Sequence, residues 1–283
     1  MLYRKQRLLL GLINFLNEQE RLDRLTLMKS MFLISQEIPI KFAKYHFHPY
    51  KFGPYSAKLY QDLAYMEKNS LITTPDPKTV NLTNSGLKEM EFPKEVKNYV
   101  MNVLRTQNTV EELIDFIYCK YPEFSCISER KNIPIPHKRD DKPGFFLIGY
   151  EGRDIDEFLN VLIQNNIEIL VDIRANPYSM KYNFIGSRLK NFLEKVGIRY
   201  ISIPELGIES EKRKNLDLIS DYLVLFKQYR KNLENKTEFL NKVIRLGKDH
   251  RIALMCFEKD PNFCHRGQVG EVLQEKHHQV VSI

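Results

Sequence analysis

Residues 145–177 read FFLIGYEGRDIDEFLNVLIQNNIEILVDIRANP. The first apolar run, FFLIGY, breaks at a glycine-rich turn. Asp154 then stands where a helix N-cap belongs, and IDEFLNVLIQNN follows with apolar residues at helical spacing. The next run, IEILVDIR, is short and apolar up to Asp172, as expected of a strand covered on both faces. Strand, helix and strand in that order, within roughly 30 residues, make a parallel βαβ unit with a right-handed crossover.

The rhythm continues downstream. SRLKNFLEKVG reads as a helix, IRYISIPELG as a strand running into a loop, and LDLISDYLVLFKQYRKNLEN and TEFLNKVIRLG as two helices. RIALMCF is a strand, RGQVGEVLQEK a helix and HQVVSI a last short strand. Residues 144–283 are therefore expected to form a three-layer α/β domain with a mostly parallel sheet of about five strands.

Upstream the pattern changes. Leu8, Leu9, Leu12, Ile13, Phe15 and Leu16 stripe one helix, and Leu25, Met28, Met31, Phe32 and Ile34 a second. Gly53-Pro54 marks a turn, and Ser56 caps a helix carrying Leu59, Leu63 and Met66. Two β-prone runs flank Pro75-Asp76-Pro77, which predicts a hairpin, and Thr83 is placed to cap another short helix. Three helices followed by a two-stranded wing is the order of a winged helix. Residues 1–92 are expected to form this small α+β domain. Residues 93–143 read as a helical connector, ending in the Pro- and charge-rich linker SERKNIPIPHKRDDKPG.

The chain has 283 residues, 43% of them hydrophobic and 28% charged. Its net charge is +7, of which residues 1–143 carry +5 and residues 144–283 carry +2. A basic lean permits a polyanionic partner without requiring one. No apolar run approaches the ~20 residues of a membrane span. The apolar N-terminal stretch is broken by Asn14 and Asn17 and reads as a helix, not a signal peptide. Four cysteines in a chain this long do not form a disulfide scaffold, so a reducing, cytoplasmic setting is expected. Cys119 and Cys126 read as ordinary thiols.

In an open parallel sheet, ligands bind beyond the carboxyl ends of the strands. Those ends carry Glu151 and Arg153, then Asp172 and Arg174, then Glu205, and finally Cys256, Glu258, Cys264, His265 and Arg266. The blocks that bear them, IGYEGRDIDEFLNVLIQNNIEILVDIRANPYSMKYNF, GIRYISIPELG and ALMCFEKDPNFCHRGQVGEVL, resemble the bacterial and archaeal domain of unknown function 488 family. Its pattern is a strand-end glycine motif, then D-[VI]-R-x-x-P, P-E-L-G and C-[FY]-E…CHR. The resemblance spans nearly all of residues 145–283. It implies the α/β fold and names no activity. Many members begin with GHS or GYS at the first strand. Here GYEG stands there, so a serine role is not carried over. FGPYSAKLYQDLAYMEKNSLI, in turn, is similar to winged-helix-like domains of phage-associated and antitoxin-type proteins. A reading helix in that domain would present Lys58, Gln61 and Lys68 to DNA. The alternative is a packing or dimerisation module.

The stretch CFEKDPNFCHR, residues 256–266, admits four readings. A disulfide between Cys256 and Cys264 conflicts with a reducing compartment. A zinc site would use Cys256, Cys264 and His265 with a carboxylate, but adjacent side chains such as Cys264 and His265 often diverge, and no metal is assigned. A nucleophilic Cys264 would gain from a helix N-terminus, Arg266 and protonated His265. An anion pocket would collect Arg153, Arg174, His265 and Arg266, leaving Glu151 for ribose or base contacts and Asp172, Glu205 and Glu258 for acid–base work. The anion pocket is preferred, with the role of the thiol left open. The resulting expectation is a hydrolase or transferase that binds a nucleotide, nucleic acid or other phosphorylated ligand, recruited by the N-terminal module. The rival is a ligand-sensing regulator or defence-associated binding protein without turnover. No cofactor or oligomeric state is assigned.

Overall fold

The computed structural model describes residues 1–39, 44–76, 79–130, 141–213 and 219–283. The chain divides into two compact units, Met1–Lys138 and Arg139–Ile283.

The N-terminal unit begins with α1 (Arg4–Glu18) and α2 (Arg24–Glu37). A hairpin of β1 (His48–Tyr50) and β2 (Gly53–Tyr55) follows, then α3 (Ala57–Lys68). A second hairpin pairs β3 (Ile72–Thr73) with β4 (Asn81–Leu82), ahead of α4 (Asn84–Glu89), α5 (Lys94–Thr106) and α6 (Val110–Lys120). The caps follow local chemistry: Ser56 Oγ accepts from the Leu59 amide at 3.3 Å and Thr83 Oγ1 from Gly86 at 3.1 Å. Every residue from Thr26 to Ser35 is buried, so α2 is enclosed on all sides.

Two expectations change here. Gly53-Pro54 is not the turn itself but opens the returning strand, with the turn at Lys51-Phe52. Gly53 has φ +91°, and a Cβ there would lie 2.9 Å from the Tyr118 ring, which is why glycine occupies it. The helices expected to form a connector are instead part of the unit. Val96, Val100 and Leu104 of α5 and Leu113, Ile114 and Ile117 of α6 join the same core as Leu9, Ile13 and Phe32. A stripe of apolar residues on a surface helix must bury against something, and the first two helices provide it. Most of the expected linker (residues 131–140), and Pro77 of the expected hairpin turn, lie outside the described residues.

The C-terminal unit is α/β. Its strands are β5 (Gly144–Gly149), β6 (Ile169–Asp172), β7 (Arg199–Ser202), β8 (Arg251–Cys256) and β9 (Val280–Ser282). All pair in parallel, in the order β7-β6-β8-β5-β9. The helices between them are α7 (Ile155–Gln164), α8 (Gly186–Lys195), α9 (Ile219–Leu233), α10 (Thr237–Asp249) and α11 (His265–Glu275). Asp154 caps α7, accepting from the Glu157 amide at 2.9 Å. The first residues of the helix expected from Leu216 lie outside the described residues. The central strands are buried throughout, and each fully buried Ile or Leu contributes about 1.5–3 kcal/mol of transfer free energy. Among the described residues no helix is long and apolar enough to cross a membrane.

Candidate functional site

Register sets the site. Gly149 of β5 pairs with Cys256 of β8, and Asp172 of β6 is level with Met255 of β8 and Ser202 of β7. The functional side chains thus leave the sheet at one height. Alternation then separates them. Ile169, Val171, Ile173, Ile252 and Leu254 pack in one core with residues of α9, α10 and α11. Cys256 continues that face, whereas Asp172 and Arg174 point to the other.

On the Asp172 face the chemistry is ionic. Arg174, two residues on and so on the same side, grips Asp172 with Nε at 2.8 Å and Nη2 at 2.6 Å. Its Nη1 donates to Tyr150 Oη at 3.0 Å, and Tyr200 Oη donates to Asp172 Oδ2 at 2.7 Å. Burial opposes the Arg174 charge, but the hydrogen bonds and charge of Asp172 outweigh it and raise the guanidinium above its ordinary value. Burial, then Asp172, likewise raises Tyr200.

On the other face the chemistry is soft. Cys256, Cys264 and His265 are buried, with Nδ1 of His265 3.7 Å from Cys256 Sγ and 4.0 Å from Cys264 Sγ. The expected divergence of Cys264 and His265 does not occur. Cys264 is the extended N-cap of α11 and His265 its first residue, and the change of backbone at that junction turns both side chains to one side. His265 Nε2 is 3.0 Å from the Ile173 carbonyl. A carbonyl only accepts, so Nε2 carries a proton, and Nδ1 is the ring nitrogen beside the two sulfurs. Cys256 and Cys264 are not joined by a disulfide. Burial, and then the neighbouring Cys256, push the Cys264 thiol well above its usual range, with Arg266 offsetting only part. The activated thiolate expected at Cys264 is therefore not what the surroundings favour.

Other expected site residues are spent elsewhere. Arg266 is 1% exposed, with Nη1 donating to the Glu258 carbonyl and Nη2 to the Lys259 carbonyl at 2.8 Å. It braces the loop after β8 instead of facing a ligand. Arg153 donates to the Gly149 and Ile283 carbonyls, and Glu151 accepts from the Lys259 amide at 2.8 Å. Glu258 Oε2 accepts from Cys256 Sγ at 3.2 Å. Glu205 is exposed in the loop after β7, apart from the cleft lining. In the N-terminal unit Lys58 pairs at 3.0 Å with buried Asp62, which also accepts from Gln6 and Tyr45. Gln61 is half-buried, and Lys68 is exposed.

A cleft of about 310 Å³ opens at the strand ends and reaches both faces. Arg174, Lys181, Asn176, Tyr150, Cys256 and His265 are among its walls, and no carboxylate lines it. Lys181 Nζ donates to the Tyr150 and Arg153 carbonyls at 3.1 and 2.9 Å. Tyr178 and Phe257 expose their rings at the rim. Sequence reasoning missed Tyr150, Lys181 and Tyr200. Alternation along the first and third strands of the domain would have flagged the tyrosines, whereas Lys181 sits in a loop with no periodic signal.

No curated protein and no solved structure matches the chain. Residues 154–273, which hold Asp172, Arg174, Cys256, Cys264 and His265, match the model of the family described as Domain of unknown function DUF488.

Proposed function

We propose that the strand-end cleft binds a phosphorylated ligand, with a nucleotide or nucleic-acid strand as the class that fits it. The observation that carries this is the cleft's composition: two cations, no carboxylate and exposed aromatic rings at the rim. Phosphate meets Lys181, with the Asp172-paired Arg174 in the wall behind it, and a base stacks on Tyr178 or Phe257. For turnover, Glu258 stands one hydrogen bond behind Cys256 as the carboxylate for acid–base work. In the same reading the N-terminal unit, as a winged-helix-like module, brings the protein to nucleic acid or to a protein partner, with exposed Lys68 at its contact face.

A second reading, a sensor without turnover, is favoured by one fact. Asp172, Arg174 and Arg266 are spent on protein partners, as in a site built to hold a shape. Calorimetric titration of the full chain with mononucleotides and a short single-stranded oligonucleotide tests the shared core of both readings. Binding that weakens at least about tenfold in Lys181→Glu supports it. No heat and no shift with any of these ligands overturns it. Phosphorus NMR of the same mixtures separates enzyme from sensor by the appearance of product.

A further inference from the structure

The soft cluster has properties that a phosphate-binding cleft does not require. The Cys256, Cys264 and His265 ligand atoms all lie within 4.8 Å of one another. At Zn–S of about 2.3 Å and Zn–N of about 2.0–2.1 Å, the N···S edge of a tetrahedral zinc site is roughly 3.6 Å. The 3.7 and 4.0 Å separations from Nδ1 to the two sulfurs approach that edge with only small adjustments. His265 also has the support that metal-binding imidazoles use. Its Nε2–H is anchored on the Ile173 carbonyl, which fixes the ring and the tautomer and leaves Nδ1 as the donor atom. The supporting frame is rigid: Cys256 ends a central strand, and Cys264 and His265 begin a helix whose Arg266 ties down the loop between them.

Three ordinary explanations fit less well. A hydrophobic core gains little from a charge-capable imidazole, and His265 is 2% exposed. A nucleophilic cysteine needs access, and Cys264 is 2% exposed. A permanent disulfide is not formed. Two sulfurs and one imidazole nitrogen within 4.8 Å of one another are the donor set of a soft divalent ion.

We infer that Cys256, Cys264 and His265 bind one zinc ion at the inner wall of the cleft. Binding releases both thiol protons to solvent and forms two Zn–S bonds and one Zn–N bond, with no oxidation or reduction. Three protein ligands leave a fourth tetrahedral position. Cys256 and His265 line the cleft, and the Glu258 carboxylate, in the loop after β8, is hydrogen-bonded to Cys256. The inference rests on the cluster's own geometry and stands whether or not the cleft takes a nucleotide.

The test is metal content of the untagged full chain, purified under reducing conditions without chelator and without added nucleotide. The wild type should hold about one zinc per chain, and Cys256→Ser, Cys264→Ser and His265→Ala should each fall below about a tenth of that. Cys119→Ser, an exposed thiol of the other unit, should keep its zinc. Because a ligand variant can fail to fold, the apo wild type is also titrated with cobalt. Thiolate-to-cobalt charge-transfer and tetrahedral d–d bands at one equivalent support the site. Absence of those bands, or zinc content unchanged in all three variants, overturns it. Failure of nucleotide binding leaves these readouts untouched, so the two proposals fall separately.

Discussion

The two faces of the sheet at its carboxyl end solve different problems with neighbouring residues. On one, Asp172, Arg174, Tyr150 and Tyr200 satisfy each other through short hydrogen bonds and a two-pronged ion pair. On the other, Cys256, Cys264 and His265 bring two sulfurs and Nδ1 close together, with the Nε2 proton of His265 committed to the Ile173 carbonyl. The first arrangement is complete as it stands. The second is held by weaker thiol contacts, with Cys256 donating to Glu258, and its three soft atoms lie close enough together to share one ion. A buried polar cluster therefore reports its role by whether donors and acceptors balance inside it.

That contrast predicts graded effects. Removing one partner of the closed cluster is the largest. Asp172→Ala strands the Arg174 charge in the interior and should lower the unfolding free energy by about 3–5 kcal/mol in urea titration. A loss under about 1 kcal/mol would mean water reaches Arg174, against its 6% exposure.

A lone buried cation in the N-terminal unit supplies the reference for a paired one. Lys29 donates to the Pro54 carbonyl at 2.9 Å, and burial lowers its pKa to about 7. The unfolded chain, with a lysine near 10.5, binds the proton that the folded unit refuses between about pH 7 and 10.5. Stability of this unit should therefore rise with pH through that window, by up to a few kcal/mol. Hydrogen exchange of the α1 and α2 amides checks this, and Lys29→Met should flatten the dependence. A flat wild-type profile would place the Lys29 ammonium in contact with solvent.

Smaller effects probe the loop and the cleft. A Cβ on Gly149 would stand 1.9 Å from the Glu258 carbonyl, so Gly149→Ala must push the Arg266-braced loop away. The expected cost is about 1–3 kcal/mol by overpacking, together with reduced zinc content. Lys181→Ala is the mildest, losing two part-buried hydrogen bonds at a cost of about 1 kcal/mol, with nucleotide affinity reduced. If Lys181→Ala lowers zinc content instead, the two sites are not separate.

Much of the fold was legible because its signals are local. Asp154 and Ser56 cap helices through atoms three residues away, and the apolar runs of the C-terminal unit mark all five strands. The anion pocket was misjudged where a long flexible side chain chose its partner. Arg266 and Arg153 turned to backbone carbonyls, a choice that no spacing rule encodes. The connector was misread because a helix's apolar stripe says that it is covered and not by what.

Residue order alone determined the strand–helix alternation, the parallel sheet and the gathering of polar residues at its carboxyl edge, since each follows from periodicity or from the handedness of short connections. Tertiary structure alone decided which of those residues meet. Cys256 and Ile173 are 83 positions apart, and His265 joins them only because β6 and β8 are neighbours in a fixed register. A shift of one residue in that pairing would exchange the two faces and dissolve both clusters.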